Sequence, residues 1–179
     1  LAGMALTLYR FPDETKKQNG ERFEEFRDSR LDSLRIYLTS KAPRYLELEE
    51  AVLADWFAQA LAGLGPGDPF VRAALGEPTL APKDAAKRAI EKTRLADPAV
   101  RRELLEGGAE AIARSQDPLL VLIRRLDPVM REARTLNEQR VTSVDLVQGR
   151  RIAEARFSVY GRTTYPDASS TLRLGFGTV

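Results

Sequence analysis

Aspartate followed by proline occurs four times in this chain, at Asp68-Pro69, Asp97-Pro98, Asp117-Pro118 and Asp127-Pro128. An aspartate side chain satisfies the free N–H groups at a helix start, and proline is tolerated at the first helical position because no N–H is needed there. Each pair therefore predicts the start of a helix. A sequence punctuated this way folds into a succession of helices rather than a sheet or one long rod.

The apolar periodicity agrees. Residues 1–10 read as the tail of a helix that Phe11-Pro12-Asp13 ends, since proline disfavours helix in the residue before it. Phe23, Phe26, Leu31, Leu34, Tyr37 and Leu38 recur at three- and four-residue steps and predict a helix over roughly 19–40, closed by Pro43. The clearest element is 44–63, where Tyr45, Leu48, Val52, Leu53, Trp56, Phe57, Ala60, Leu61 and Leu64 form a wide apolar stripe. Helices follow at about 69–75, 82–95 and 98–114, the last weakened by Gly107-Gly108. From Leu119 a helical period persists to about Tyr160, with Pro128 expected to kink or split it and Gly161 to stop it. Then the period changes. Residues 171–179 alternate apolar and non-apolar, the pattern of a strand, and a lone strand needs ladder partners. The expected fold class is mainly α, an antiparallel helical domain ending in a single β-strand.

Composition narrows the chemistry. The 179 residues include no histidine and no cysteine. A Ser–His–Asp triad, a Cys–His pair and a Cys/His zinc site are thereby excluded within the chain, while carboxylate pairs or a Ser–Lys dyad remain open. Lys plus Arg number 28 against 26 for Asp plus Glu, too even for the clustered basic excess of a nucleic-acid binder. No apolar run approaches the ~20 residues of a membrane span.

Local features read as structure. Gly63-Leu64-Gly65-Pro66-Gly67 follows a helix, not a strand, and is a helix-linking loop rather than a phosphate loop. Glu47, Glu49 and Glu50 complement the dipole of the helix they open. Trp56 and Phe57 are expected in the core, and Ser169-Ser170 in a turn. Arg124, Arg125, Arg131, Arg134, Arg140, Arg150, Arg151 and Arg156 interleave with Asp127, Glu132, Glu138, Asp145 and Glu154. Together they make a solvated, salt-bridged face or a surface for an anionic substrate or a partner domain; Asp127 and Arg131 are spaced as a helical ion pair. The chain offers no catalytic, cofactor-binding or metal-ligating residue to nominate.

Several stretches are familiar as text: Arg156-Phe157-Ser158-Val159-Tyr160-Gly161, Tyr165-Pro166-Asp167-Ala168, Thr171-Leu172-Arg173-Leu174 and Gly177-Thr178-Val179. Asp117-Pro118-Leu119-Leu120, Leu126-Asp127-Pro128-Val129-Met130 and Asp28-Ser29-Arg30-Leu31-Asp32-Ser33-Leu34 belong with them. The chain resembles the bacterial dipeptidyl-peptidase 7 and 11 family, serine peptidase family 46. Ser169-Ser170 and Gly175 stand where that family more often has larger or aromatic residues.

The resemblance implies a chymotrypsin-like double β-barrel with an inserted helical cap. It implies removal of dipeptides from peptide N-termini, and a periplasmic or secreted location in a Gram-negative bacterium. On that reading residues 1–161 are the cap and 162–179 are a linker and the first returning strand. The catalytic His and Asp lie upstream and the nucleophilic Ser downstream, so the chain is a fragment without catalytic residues of its own. No cofactor is implied. Its partners would be the rest of the peptidase domain and, through it, peptide substrates, with a homodimer left open. The rival expectation is a stand-alone helical module for protein interaction.

Overall fold

The computed structural model describes residues 1–76 and 79–161. It is mainly α-helical, as expected. The predicted strand at 171–179, the linker before it and the turn at Ser169-Ser170 lie outside the described residues. Contacts divide the chain into two compact units, Leu1–Glu132 and Ala133–Val179.

The first unit opens with α1 (Ala2–Lys16), followed by single 3-10 turns at Asn19–Glu21 and Glu24–Phe26. Then come α2 (Asp28–Thr39), α3 (Leu46–Leu64), α4 (Pro69–Leu75), α5 (Pro82–Ile90), α6 (Pro98–Arg114) and α7 (Pro118–Asn137). Three of the four Asp-Pro pairs start helices. Asp68 accepts from the Phe70 N–H and Asp97 from the Ala99 N–H, each at 2.8 Å. Asp117 accepts from the Leu119 N–H at 3.0 Å, and also from the Thr93 hydroxyl at 2.8 Å and the Arg94 N–H at 2.7 Å. One carboxylate thus caps α7 and holds the loop after α5, which stops α5 at Ile90 rather than near residue 95.

Asp127-Pro128 is the exception. Both residues lie inside α7, which continues through Pro128. Asp127 is not available as a cap because its carboxylate is buried in ion pairs with Arg10 and Arg131. Pro12 likewise fails to end its helix, since α1 runs on to Lys16. Phe11 and Glu14 on either side of it are buried, and the tertiary bonds of Glu14 hold the last turn helical.

The predicted helix over 19–40 is cut short at its N-terminal end. Side chains take the backbone groups that a helix would need. Glu14 accepts from the Phe23 N–H at 3.1 Å and Asn19 from the Asp28 N–H at 2.8 Å, while Arg22 donates to the carbonyls of Lys17 and Thr15. Helix therefore starts only at Asp28.

The core of this unit gathers Met4, Leu8 and Phe11 of α1 with Phe26, Leu38, Leu53, Phe57, Val71 and Leu75. Ile90, Leu95, Ile112 and the α7 residues Leu119, Leu120, Leu122, Ile123 and Leu126 complete it. Arg101 is buried with them, 0% exposed. It donates to the carbonyls of Leu38 (2.7 Å), Ala96 (2.9 Å), Leu95 and Ser40. A single guanidinium therefore ties the end of α2 to the loop before α6. Within α6, Gly108 adopts φ 62° and ψ −150°, a break that only glycine makes without strain. This accounts for the weakness expected at Gly107-Gly108.

Trp56 departs from expectation. Phe57 is 1% exposed, but Trp56 is 44% exposed, with Leu48 at 61% and Val52 at 59%. Neighbouring residues on a helix point about 100° apart. The wide stripe of α3 therefore spans two faces: Leu53 and Phe57 point inward, while Leu48, Val52 and Trp56 form a second, open face.

In the second unit the described residues are the end of α7, a π-helical turn at Glu138–Thr142 and α8 (Ser143–Tyr160), which stops at Gly161 with φ 73°. None of the α8 residues is buried. Arg134 pairs with Glu138 and Arg150 with Glu154, each at 2.8 Å and each one turn apart.

Phe57→Ala is expected to lower unfolding free energy by about 3–5 kcal/mol through the cavity it leaves. Trp56→Ala should cost only about 1 kcal/mol, the scale of its aromatic contacts. Chemical denaturation of the two variants beside the parent chain measures the difference.

Candidate functional site

Two places in the first unit concentrate side chains capable of chemistry or binding. One is a buried ionic cluster. Asp127 on α7 accepts from Arg10 Nε at 2.5 Å and from Arg131 Nε at 2.6 Å. Arg131 reaches on to Glu14 at 2.9 Å, and Glu14 also accepts from Lys17 Nζ at 2.6 Å. The Phe23 ring lies against all three cations, 5.1 Å from Lys17, 5.3 Å from Arg131 and 5.4 Å from Arg10. The ring's negative face adds attraction to each.

Burial alone would raise the Glu14 carboxyl, but hydrogen bonds from Lys17, Arg131 and the Phe23 N–H outweigh it and hold the group below its ordinary value. Burial would likewise lower Arg131, and its bonds to Asp127 and Glu14 more than restore it. A carboxylate held ionised and donated to from three sides is a poor general base at neutral pH. The cluster is a clasp between α1 and α7.

The second place is a groove of about 360 Å³. Leu6 of α1, Val52 and Trp56 of α3, and Leu126 and Met130 of α7 line it, with Glu49, Asp55 and Gln59 at its rim. Trp56 is held in place by its neighbours: its ring centroid lies 6.1 Å from that of Phe57, stacked, and 5.2 Å from that of Phe70, edge to face. Apolar walls with a few rim carboxylates suit an apolar side chain that carries a polar group beside it. A larger cavity of about 1020 Å³ lies along α5 and α6, and Lys87, Arg88, Lys92, Glu103 and Arg114 are among the charged residues that line it. Its cations and carboxylates are nearly balanced.

The residues singled out from sequence fall into three groups. Gly65 takes φ 82° in the loop that ends α3, so the glycine-rich stretch is a connection as expected. Glu49 lies near the start of α3, 3.9 Å from Arg44. The arginine series is split. Arg131 pairs with Asp127 as predicted, whereas Arg124 donates to the carbonyls of Ile112, Ala113 and Ser115 and closes the end of α6. Arg10, Glu14 and Arg101 were not legible as special. Their one signal was position: Glu14 follows the core residue Phe11 by three, so a helix continued through Pro12 would have placed it beside the core. Among the described residues, no group of three or more His, Cys, Asp or Glu side chains is arranged to hold a metal ion. No helix among them is long and apolar enough to cross a membrane.

A family model described as Peptidase S46 matches the chain over residues 1–179. No curated protein matches it.

The clasp makes a signed prediction about pH. Glu14 binds its proton more weakly in the folded chain than in the unfolded one. Its stabilisation is therefore full above the ordinary carboxyl value of 4.5 and is lost as pH falls through the lowered value. Glu14→Gln should destabilise by about 3 kcal/mol at pH 7, the low end for a broken buried pair because Lys17 and Arg131 keep partial solvent access. The variant should also lose less further stability than the parent between pH 6 and about pH 3. Thermal unfolding followed by circular dichroism across that range checks both.

Proposed function

This chain belongs to the Peptidase S46 family, and on that premise we propose that it is the helical, non-catalytic part of a serine-type dipeptidyl-peptidase, a wall over the cleft where peptides bind. The family is one of peptidases. The finer assignment, release of dipeptides from free N-termini by a periplasmic or secreted enzyme, is carried by the family resemblance of residues 117–179.

The observation that carries the non-catalytic role is the absence of histidine from all 179 residues. A serine nucleophile in an enzyme of this kind needs a histidine to take its proton. That base, with the nucleophile, would come from other parts of the peptidase. What this chain supplies is shape. α1 and α7 are locked together by the clasp and with α3 present an apolar groove with a carboxylate rim, a surface that limits which peptides approach and how far they extend.

The open face of α3, with Leu48, Val52 and Trp56 exposed, also supports a second reading, a helical module that binds another protein. Turnover and flanking sequence separate the possibilities. The purified chain is expected to release no dipeptide from chromogenic dipeptidyl substrates, and activity that survives repurification would overturn the proposal. The gene around this segment should encode a histidine-bearing stretch upstream and a Gly-Asn-Ser-Gly-Ser-like stretch downstream. A gene encoding neither favours the interaction module.

A further inference from the structure

α3 carries Glu47, Glu49, Glu50 and Asp55 and not one Lys or Arg along its 19 residues. The charges at its groove are not equally answered. Glu49 has Arg44 beside it, 3.9 Å away. Asp55 is exposed at the rim and accepts from the neutral Gln59 amide at 2.6 Å, with no ion pair to it among the described residues. An uncompensated carboxylate therefore adjoins Trp56, whose indole is fixed by Phe57 and Phe70. Opposite it, Met130 supplies an unbranched, polarizable wall that adapts to differently shaped apolar groups. The 360 Å³ of the groove admits one or two side chains, not a packed domain.

We propose that this groove docks a peptide segment in which an apolar side chain stands next to a lysine or arginine. The apolar side chain enters between Leu6, Val52, Trp56 and Met130, and the cation meets Asp55. The inference rests on the peptide-facing role given above and deepens it by naming the side-chain chemistry that the wall selects. An acidic segment is disfavoured by the uncompensated Asp55. A second copy joined through the same face is disfavoured as well, because two-fold pairing sets each α3 and its carboxylates against its twin.

Trp56 is the only tryptophan in the chain, so its fluorescence reports on the groove alone. The probes are the tripeptides Leu-Leu-Arg, Leu-Leu-Gln and Leu-Leu-Glu, each N-acetylated and C-amidated so that the side chain carries the only charge. Saturable change in Trp56 emission is expected, with the arginine peptide bound about fivefold more tightly than the glutamine peptide, the scale of one exposed ion pair. The glutamate peptide should be weakest. The preference should shrink toward unity in Asp55→Asn and in high salt. Val52→Ser, at an exposed position, should weaken all three peptides while circular dichroism stays unchanged.

Absence of saturable binding, equal affinity for the three peptides, or a preference that persists in Asp55→Asn would each overturn the inference. So would emission changes that follow protein concentration instead of peptide, the mark of self-association. Dipeptide release by the chain bears on the proposed function and not on this inference, so the two fail separately.

Discussion

Buried charge tolerates few arrangements. Arg10, Asp127, Arg131 and Glu14 are 117 residues apart in sequence, α1 to α7, yet each is the other's main source of compensation. Taken singly, each would pay a desolvation cost of several kcal/mol per ion, and apolar side chains of similar size could replace the set with little loss. What the cluster contributes is register. An apolar contact between two helices slides at small cost. A guanidinium aligned on two carboxylates does not. The groove beside it inherits that definition, because Leu6 sits one turn before Arg10 on α1 and Met130 adjoins Arg131 on α7.

The same clasp explains why two prolines that should interrupt helices do not. Pro12 and Pro128 each lie within two residues of a member of the cluster, and each is inside a continuous helix. A proline inside a helix costs about 3 kcal/mol. Tertiary bonds at Glu14 and Asp127 offset that locally, and propensity gives way to packing. α3 illustrates the reverse. Its sequence is apolar over most of its circumference, but neighbours in this unit cover one side only, and the remainder stays open as the wall with Trp56.

Much of the helical plan was legible: the caps at Asp68, Asp97 and Asp117, the extents of α3, α4 and α6, the weakness at Gly107-Gly108 and the stop at Gly161. Those features are local, set by a side chain acting on backbone within a few residues. The failures were non-local. The break before α2 comes from Glu14 and Asn19 capturing amides nine residues away, which periodicity does not register. Trp56 was misplaced because an apolar stripe states which residues prefer burial, not how much of the helix its neighbours will cover. The groove was legible only in part: Trp56 and Glu49 stood out in the sequence, but Leu6, Asp55 and Met130 come together through the packing of three helices.

Arg101 leaves a distinct imprint on how the molecule comes apart. Its partners are carbonyl oxygens at Leu38, Ser40, Leu95 and Ala96, none of which titrates, whereas the bond from Arg131 of α7 to α1 ends on Glu14, a carboxylate that does. Burial lowers the Arg101 pKa, yet acid only favours its charged form. Strong acid thus acts on one fastening and spares the other. Disassembly in acid is therefore expected to follow an order, the α1–α7 layer loosening first while α2 and the start of α6 persist as a smaller cooperative unit. Slow-exchanging amides surviving in acid would map onto the arginine's neighbourhood, a record of which fastening held no group for acid to protonate.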